Sequence, residues 1–341
     1  MTVFILKNRV NDSKAFNVFL NSNHGEQTID KIGVFNKKER GVIMKIGIIG
    51  LGKMGYALAQ NMKDHQIDVV ATNRSREKID EIKKQGLTVA YSLKELVDSL
   101  DEKRVIWLMV PAGDPVDEMI TNLKPLLKEG DILIDGGNSN YKDTVKRYNA
   151  LKAFGISYVD VGTSGGTKGA RFGACLMVGG DKTVVQILKP IFKAIAMEDG
   201  YGYFGPSGSG HYVKMIHNGI EYGMMQAIGE GLDILKASEY DLDFELVTRV
   251  WSNGSIIEGL LMRMMHQAFS ESGDLAEILG KIDASGEADW TLAEALRLKV
   301  SVPVISQALF TRFKSKDEGH FSEKSIAAMR NQFGGHKVYK A

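Results

Sequence analysis

The sequence lacks the features that mark secreted or membrane-bound proteins. Its 341 residues include one cysteine, Cys175, so no intrachain disulfide can form and a reducing, cytoplasmic location is expected. No apolar run approaches the roughly 20 residues that a membrane-spanning helix requires. Lys and Arg number 43 and Asp and Glu number 42, a net charge of +1. With so little net charge, neither nucleic acid nor a membrane surface is expected as a partner.

The first 43 residues differ in pattern from the rest of the chain. They are polar and carry no sustained hydrophobic period, and Met44 stands immediately before the first clear strand. The apolar run at residues 1–6 is too short for a signal peptide, and acidic residues such as Asp12 are untypical of a mitochondrial transit peptide. We therefore predict a disordered N-terminal extension over residues 1–43.

The remaining residues divide into two parts. Between residues 44 and 205, short β-branched runs alternate with helical segments, which predicts an α/β domain with a parallel sheet. Its strands are predicted at residues 46–49, 69–72, 105–110, 132–134, 158–161 and 176–178. The helical pattern of residues 206–330 predicts an all-α domain. Residues 331–341 are predicted to form a tail that is too polar and Gly-rich to be ordered on its own. The helices are predicted at residues 211–240, 242–251, 256–269, 275–282, 290–299, 304–313 and 322–329.

A glycine-rich turn follows the first predicted strand. The sequence Gly50-Leu51-Gly52-Lys53-Met54-Gly55 lies between that strand and a helix beginning at about Tyr56. The first glycine allows a tight turn, the second lets a pyrophosphate approach the backbone, and the third lets helix and strand pack closely. Because strand, turn and helix occur together, the α/β domain is predicted to be a Rossmann-type dinucleotide-binding domain.

The second predicted strand ends in Asn73-Arg74-Ser75, where an NAD enzyme usually places a carboxylate for the ribose 2′-hydroxyl. Here Asn73 carries no charge that would repel a 2′-phosphate, Arg74 offers a planar cation, and Ser75 offers a hydrogen-bond donor. We therefore expect NADP as the cofactor, with NAD as the alternative. The predicted cofactor-binding residues outside the substrate turns are Gly50, Gly52, Lys53, Met54, Gly55, Asn73, Arg74, Ser75 and Val110.

Four polar residues share one face of the first helix of the all-α domain. Lys214, His217, Asn218 and Glu221 are spaced i, i+3, i+4 and i+7, while apolar residues occupy the other side. Lys214 lies within about a turn of the helix start if Ser207 or Ser209 caps it, and both the helix dipole and burial disfavour its charge. A lysine so placed can lose its proton near neutral pH and act as a base.

These motifs resemble the 6-phosphogluconate dehydrogenase family, the decarboxylating enzymes of the pentose phosphate pathway. The resemblance rests on the turns 135–139 and 164–166, on the helix with Lys214 and on the tail motif Arg330-Asn331-Gln332-Phe333-Gly334-Gly335-His336. It extends from Met44 to about Val338. Because the chain ends soon after its helical domain, it is most similar to the short members of the family.

The resemblance implies a role for each site residue. Lys214 would be the catalytic base at the substrate 3-hydroxyl, and Glu221 would be the acid that protonates C1 of the enediol. Asn138 would contact nicotinamide and substrate. The smallest active unit would be a homodimer in which the tail of each chain reaches the partner's site, and a homotetramer is the alternative. The implied substrate-binding residues are Asn138, Ser164, Gly165, Gly166, His217, Asn218, Glu221, Tyr222, Arg312, Arg330 and His336.

Two other functions share most of these motifs, and one position differs from the family pattern. A β-hydroxyacid dehydrogenase of the hydroxyisobutyrate or tartronate-semialdehyde type shares most motifs but usually lacks a Glu221 equivalent and the tail, and a regulatory NADPH-binding module would need no Lys214–Glu221 pair. The family usually has Lys or Arg where Asp289 stands. With Glu287 nearby, this loop is expected to point away from a bound phosphate, or the substrate differs. We expect no metal cluster and, for Cys175, a buried position without a role.

Overall fold

The computed structural model describes residues 44–340, and the predicted extension over residues 1–43 lies outside them. Within this part of the chain, one eight-stranded sheet has the order β3-β2-β1-β4-β5-β6-β7-β8. All neighbouring strands are parallel except β6 and β7, which are antiparallel. The strands are β1 Ile46–Ile49, β2 Val69–Thr72, β3 Thr88–Val89, β4 Val105–Leu108, β5 Ile132–Asp135, β6 Ser157–Ser164, β7 Ala174–Gly179 and β8 Ala196–Gly205.

Helices cover both faces of the sheet and then form the rest of the described chain. The first seven are α1 Lys53–Asp64, α2 Arg76–Lys84, α3 Leu93–Asp98, α4 Asp114–Leu123, α5 Tyr141–Lys152, α6 Gly166–Phe172 and α7 Lys182–Ile195. The others are α8 Ser209–Lys236, α9 Phe244–Trp251, α10 Leu260–Glu271, α11 Glu287–Leu298, α12 Pro303–Lys314 and α13 Phe321–Gly334. The predicted fold class, a Rossmann-type α/β domain followed by an all-α domain, is confirmed.

The core of the α/β part lies in two apolar layers, one on each side of the sheet. One layer contains Ile48, Trp107 and Phe192, and the other contains Ile106 and Leu133, all completely buried. Successive strand residues face opposite layers, so each central strand is apolar throughout, as a parallel sheet covered on both faces requires. No described helix is both long and apolar enough to cross a membrane.

Two strands were missed, and one predicted helix is wrong. Strand β3 has only two residues, and β8 carries glycines and acidic residues on a sheet edge, so neither has a hydrophobic pattern to detect. Residues 275–282 form turns instead of a helix. Leu275 adopts a left-handed φ of 57°, and Ile278 and Leu279 are exposed, so the apolar face has nothing to pack against in this chain.

The last predicted helix, at residues 322–329, is longer in the structure. Helix α13 continues four residues beyond Arg330 and ends where Gly335 takes the left-handed conformation, with φ at 61°. A glycine in that position terminates a helix without steric cost, which explains why the end falls at Gly335 and not at residue 330. The side chain of Asn331 then donates a hydrogen bond to the carbonyl oxygen of His336, at 2.9 Å.

Candidate active site

A cavity of about 430 Å³ opens at the carboxyl ends of β1, β4, β5 and β6. It is lined by the turns at residues 52–55, 109–112 and 136–138, and by Thr163, Ser285 and Glu287. In open α/β sheets, ligands bind beyond the strand ends where the strand order reverses, which here is between β1 and β4. The volume is in the range of small-molecule and cofactor sites.

The glycine turn has the shape that a dinucleotide needs. Gly50 has a φ of 104°, and a side chain there would meet the carbonyl oxygen of Met109 at 2.4 Å. A side chain on Gly55 would lie 2.0 Å from the Gly50 carbonyl, so only glycine lets α1 pack this closely. A Cβ placed on Gly52 would point into open space, with no atom within 4 Å, and this glycine precedes α1 without a side-chain cap. This open helix N-terminus fits a pyrophosphate.

The three residues after β2 use their side chains differently. Asn73 accepts a hydrogen bond from the backbone N–H of Leu51, at 3.0 Å, and so fixes the glycine turn. The hydroxyl of Ser75 donates to Glu77 at 2.5 Å. Arg74 is exposed and makes no hydrogen bond or ion pair with another residue of the described chain. Of the three, Arg74 is therefore the side chain that remains available to a ligand.

A buried acid network holds the turn that carries Asn138. The carboxylate of Asp135 accepts hydrogen bonds from the backbone of Gly137 (3.1 Å), the hydroxyl of Ser139 (2.7 Å) and the hydroxyl of Tyr158 (2.9 Å). The guanidinium of Arg147 lies 3.8 Å from the same carboxylate. Burial and the neighbouring carboxylate raise the pKa of Tyr158 well above its usual range, so the phenol stays a donor.

Lys214 is buried at the wall of the site, with 6% of its surface exposed. Its Nζ donates to Oδ1 of Asn218 at 2.7 Å and lies 3.5 Å from Nδ1 of His217. Burial lowers the pKa of Lys214, while the nearby carboxylates of Glu221 and Glu287 act in the opposite direction. The helix can lie this close to β6 because Gly162 has no side chain, since a Cβ there would be 2.4 Å from Cβ of Lys214.

The polar face of α8 meets the end of β6. Nε2 of His217 lies 3.1 Å from the hydroxyl of Ser164, and Nδ1 lies 3.0 Å from Oδ1 of Asn218 and 3.8 Å from the carboxylate of Glu221. Gly165 and Gly166, which follow Ser164, both have positive φ, 103° and 62°. The structure thus brings His217 to the serine–glycine turn, with Lys214, Asn218 and Glu221 grouped around it. Such consecutive left-handed glycines direct backbone N–H groups toward an anion.

The start of α8 is capped differently from the expectation. Neither Ser207 nor Ser209 caps it, and instead the buried carboxylate of Asp160 accepts hydrogen bonds from the backbone N–H groups of Gly208 (2.7 Å) and His211 (3.0 Å). Asp160 therefore offsets the positive helix end, so burial is the main cause of the lowered pKa of Lys214.

A second cluster lies one turn further along α8. The Arg312 guanidinium stacks 3.4 Å from the ring centre of Tyr222 and donates to the carbonyl of Asp283 at 2.9 Å. The Tyr222 hydroxyl accepts a hydrogen bond from the backbone N–H of Ser285 at 3.1 Å. Arg330 is exposed on α13, apart from this cluster, and forms no hydrogen bond or ion pair within residues 44–340.

The loop before α11 and the first residue of this helix line the cavity. Glu287 is buried and lines the cavity beside the glycine turn, and its carboxylate accepts a hydrogen bond from Ser285 at 2.5 Å. The loop therefore faces the site, at its cofactor end. Cys175 was expected to be buried, but it is exposed and pairs with Ser164 across the β6–β7 ladder. Successive strand residues face opposite sides of a sheet, and it is the neighbours Ala174 and Leu176 that are buried in the core.

Thr163 was not among the predicted site residues. Thr163 lines the cavity and has only 6% of its surface exposed. Its hydroxyl has no hydrogen-bond partner among the described residues. Its position at the end of a predicted strand was the available signal. One group that could resemble a metal site, Asp317, His320 and Glu323, is exposed on the surface, and Lys314 already pairs with both of its carboxylates.

Comparison with known proteins assigns both parts of the chain. Residues 45–205 match the family model of the NAD binding domain of 6-phosphogluconate dehydrogenase, and residues 210–338 match the model of the 6-phosphogluconate dehydrogenase C-terminal domain. A Haloferax volcanii protein named 6-phosphogluconate dehydrogenase, NAD(+)-dependent, decarboxylating, is 43% identical over 86% of this chain and 98% of that protein.

Longer relatives match over part of their length. A Candida albicans protein named 6-phosphogluconate dehydrogenase, decarboxylating, is 41% identical over 85% of this chain and 59% of that protein. Among solved structures, the Plasmodium falciparum 6-phosphogluconate dehydrogenase, described in its apo form and in complexes with NADP+ and 6-phosphogluconate, superposes with a TM-score of 0.75 at 32% identity, covering 87% of this chain and 66% of that one. With both family domains matched in order, this chain belongs to the 6-phosphogluconate dehydrogenase family.

Proposed function

We propose that this protein oxidatively decarboxylates 6-phosphogluconate to ribulose 5-phosphate and CO2 while reducing NADP. The observation that carries the proposal is the buried Lys214, hydrogen-bonded to Asn218 and packed against Gly162, which precedes Thr163 of the cavity and Ser164 of the serine–glycine turn. Glu221 lies two turns along the same helix face, on the side of His217. A base and an acid on one helix face suit a reaction in which one proton is removed from a hydroxyl group and a second proton is later added to a carbon atom.

Lys214 is proposed to begin the reaction. In its neutral form it accepts the proton of the substrate 3-hydroxyl as a hydride leaves C3, and a nicotinamide dinucleotide held in the cavity would supply the hydride acceptor. The resulting ammonium then donates a hydrogen bond to the new ketone and stabilises the negative charge that develops there as CO2 leaves. Asn218 accepts a hydrogen bond from Lys214 Nζ, at 2.7 Å, and so holds the amine in position for both steps.

The other residues are proposed to bind and orient the substrate. Ser164, Gly165 and Gly166 would bind its carboxylate through the hydroxyl and backbone N–H groups, and His217 with Asn218 would bind its hydroxyls. Tyr222 and Arg312, which stack on each other, would bind the phosphate. Asn138, held by the Asp135 network, would contact both substrate and nicotinamide. The domains are proposed as 44–205 for the cofactor and 206–330 for substrate and self-association.

The proposal is tested by mixing the purified protein with NADP+ and a panel of sugar acids. Absorbance of the reduced nicotinamide should rise with 6-phosphogluconate, and CO2 should form in equal amount. A hydroxyisobutyrate-type enzyme would reduce the cofactor with a short β-hydroxyacid and release no CO2. A regulatory module would bind the cofactor and oxidise none of the acids. Either result would overturn the proposal.

We also propose a cytoplasmic location, in keeping with the single cysteine.

The preference for NADP is proposed to depend on Arg74. The side chains of Asn73 and Ser75 already form hydrogen bonds with Leu51 and Glu77. Arg74, which is also the cation of the three, is therefore the side chain available to a 2′-phosphate. Replacing Arg74 with alanine should weaken NADP+ binding by about 1.5–3 kcal/mol, the usual contribution of a hydrogen bond to a charged group. NAD+ binding should stay unchanged, because that cofactor carries no 2′-phosphate.

The measurement is the Kd of each cofactor for the unmodified protein and for Arg74→Ala. Arg76, whose guanidinium lies 5.0 Å from the ring of Tyr91, provides the matched control, and Arg76→Ala should leave both constants unchanged. Tighter binding of NAD+ than of NADP+ by the unmodified protein would contradict the proposed preference and favour the cofactor named for the Haloferax volcanii relative.

Glu221 is proposed to act after decarboxylation. Glu221→Ala should slow turnover by about 10²–10⁴-fold, the usual contribution of a positioned general acid, because the enediol would lack a proton donor at C1. Cofactor reduction in the first turnover should be nearly normal, since it precedes the protonation step. Rapid-mixing measurements of the first turnover and of steady-state product formation check this. Equal slowing of both phases would place Glu221 at an earlier step.

A further inference from the structure

The cofactor cavity contains a carboxylate that the proposed mechanism does not use. Glu287, with 6% of its surface exposed, is the first residue of α11 and lines the same cavity as the glycine turn. Its Oε2 accepts a hydrogen bond from Ser285, and its other oxygen has no hydrogen-bond partner in the described part of the chain. The hydroxyl of Thr163, which lines the same cavity, is buried and has no hydrogen-bond partner among the described residues. A buried polar group without a partner, in a cavity that also presents a carboxylate, indicates a ligand with polar atoms there.

The position of Glu287 identifies which half of a dinucleotide it would face. The adenosine half belongs over β2, where Asn73 and Arg74 follow the strand. The pyrophosphate belongs at Gly52, so the nicotinamide half extends in the other direction, over β4, β5 and β6. Thr163 is at the end of β6 and Asn138 follows β5, and Glu287 lines the cavity together with both. Glu287 therefore lies at the nicotinamide end.

Charge distinguishes the two forms of the cofactor at this end. The nicotinamide ring carries one positive charge when oxidised and none when reduced. Burial lowers the pKa of Lys214 more than the nearby carboxylates of Glu221 and Glu287 raise it, and this lysine is neutral when it acts as the base. Lys53, the other cation of the cavity, belongs to the glycine turn at the pyrophosphate end. In the complex that is ready to react, the carboxylate of Glu287 is thus balanced by the oxidised ring.

We propose that Glu287 determines how well the site distinguishes the two redox forms of the cofactor. Its carboxylate strengthens binding of the oxidised form and has little effect on binding of the reduced form. The inference rests on the proposed function, because it requires a nicotinamide dinucleotide in this cavity. Attraction between opposite charges several ångströms apart strengthens in a site shielded from water. Once the ring is reduced the attraction disappears, and the reduced cofactor leaves more readily.

The test is equilibrium binding of oxidised and reduced NADP, and of both forms of NAD, to the full chain and its variants. Glu287→Gln keeps the shape and the acceptor for Ser285 but removes the charge. It should weaken the oxidised cofactor about tenfold and change the Kd of the reduced cofactor less than about twofold. Asp289→Asn is the matched control, because it removes a carboxylate from the same first turn of α11 without lining the cavity. It should leave both constants unchanged.

Each outcome decides a different point. Equal weakening of both forms by Glu287→Gln, or no change in either, would overturn the role of Glu287. If Asp289→Asn shifted the ratio as strongly, the effect would belong to the helix terminus and the inference would also fail. Absence of binding of any dinucleotide to the unmodified protein would instead remove the proposed function. If the glutamine variant fails to fold, Glu287→Ala removes the same charge and gives the same comparison.

Discussion

Replacing Lys214 with alanine should lower kcat by about 10²–10⁴-fold, the usual contribution of a positioned base, while the Kd of the cofactor stays unchanged. The side chain is held by its hydrogen bond to Asn218, and its loss removes the group that we propose as acceptor of the hydroxyl proton. Both cofactor reduction and CO2 release should stop, since decarboxylation requires the ketone formed in the first step. This pattern differs from that of Glu221→Ala, in which the first reduction survives.

Two comparison variants separate base chemistry from other effects at this position. Lys214→Arg keeps a cation but cannot lose its proton at neutral pH, so it should be as inactive as the alanine variant. Lys168→Ala removes an exposed lysine of α6 that donates to Gln267, and it should leave kcat unchanged. Near-normal turnover by Lys214→Ala, in a protein with an unchanged melting temperature, would refute the assignment of the base.

The pH dependence follows from the lowered pKa of Lys214. A base must be unprotonated, so kcat/KM should fall as the pH decreases through the pKa of this lysine. Burial lowers that pKa from its usual value, and the acid limb should therefore lie below the pH at which an exposed lysine titrates. An acid limb at the pKa of an exposed lysine would mean that Lys214 is solvated in the free enzyme.

The parts of the site that sequence predicted are those that depend on local spacing. The glycine turn after β1 and the face of α8 with Lys214, His217 and Glu221 are both encoded within about ten neighbouring residues. A helix of the right period places side chains at i, i+3, i+4 and i+7 on one face whatever it packs against. Such elements are therefore readable before any tertiary contact is known.

The parts that sequence missed depend on contacts between distant residues. Asp160 caps α8 from 48 residues away, and the Asp135 carboxylate is joined to Tyr158 from another strand. Glu287 reaches the cofactor cavity only because α11 packs on α8, where Gly219 leaves room for Thr291. No local pattern distinguishes these carboxylates from solvated ones.

The helical part leaves much apolar surface uncovered in a single chain. Helix α13 has no buried residue, and its Phe321 and Phe333 are 79% and 71% exposed. Ile234 on α8 and Leu296 on α11 are also exposed, at 72% and 73%. Exposed apolar patches of this extent mark association surfaces, and an isolated helix of this length is only marginally stable in water. These observations support a second copy of the chain as the partner of α13 and of the tail.

The largest effect on substrate binding is expected from Arg330. We propose that Arg330 and His336 complete the substrate site of a partner subunit, where the planar guanidinium binds two phosphate oxygens at once. Arg330→Ala should weaken 6-phosphogluconate binding by about 2–5 kcal/mol, the usual cost of removing one partner of a desolvated charge pair. Cofactor binding should be unaffected. Lys337→Ala, which removes a neighbouring exposed cation of the tail, should leave substrate binding unchanged.

A mixing experiment tests whether the tail acts on its own chain or on its partner. Lys214→Ala and Arg330→Ala chains are each nearly inactive alone, and they are combined under conditions in which differently tagged subunits exchange. In a hybrid dimer with shared sites, one of the two sites has both Lys214 and Arg330 intact. Random pairing makes half of the dimers hybrid, so roughly a quarter of wild-type activity should return. If subunits exchange and no activity returns, Arg330 serves its own chain, because then each hybrid site lacks one of the two residues.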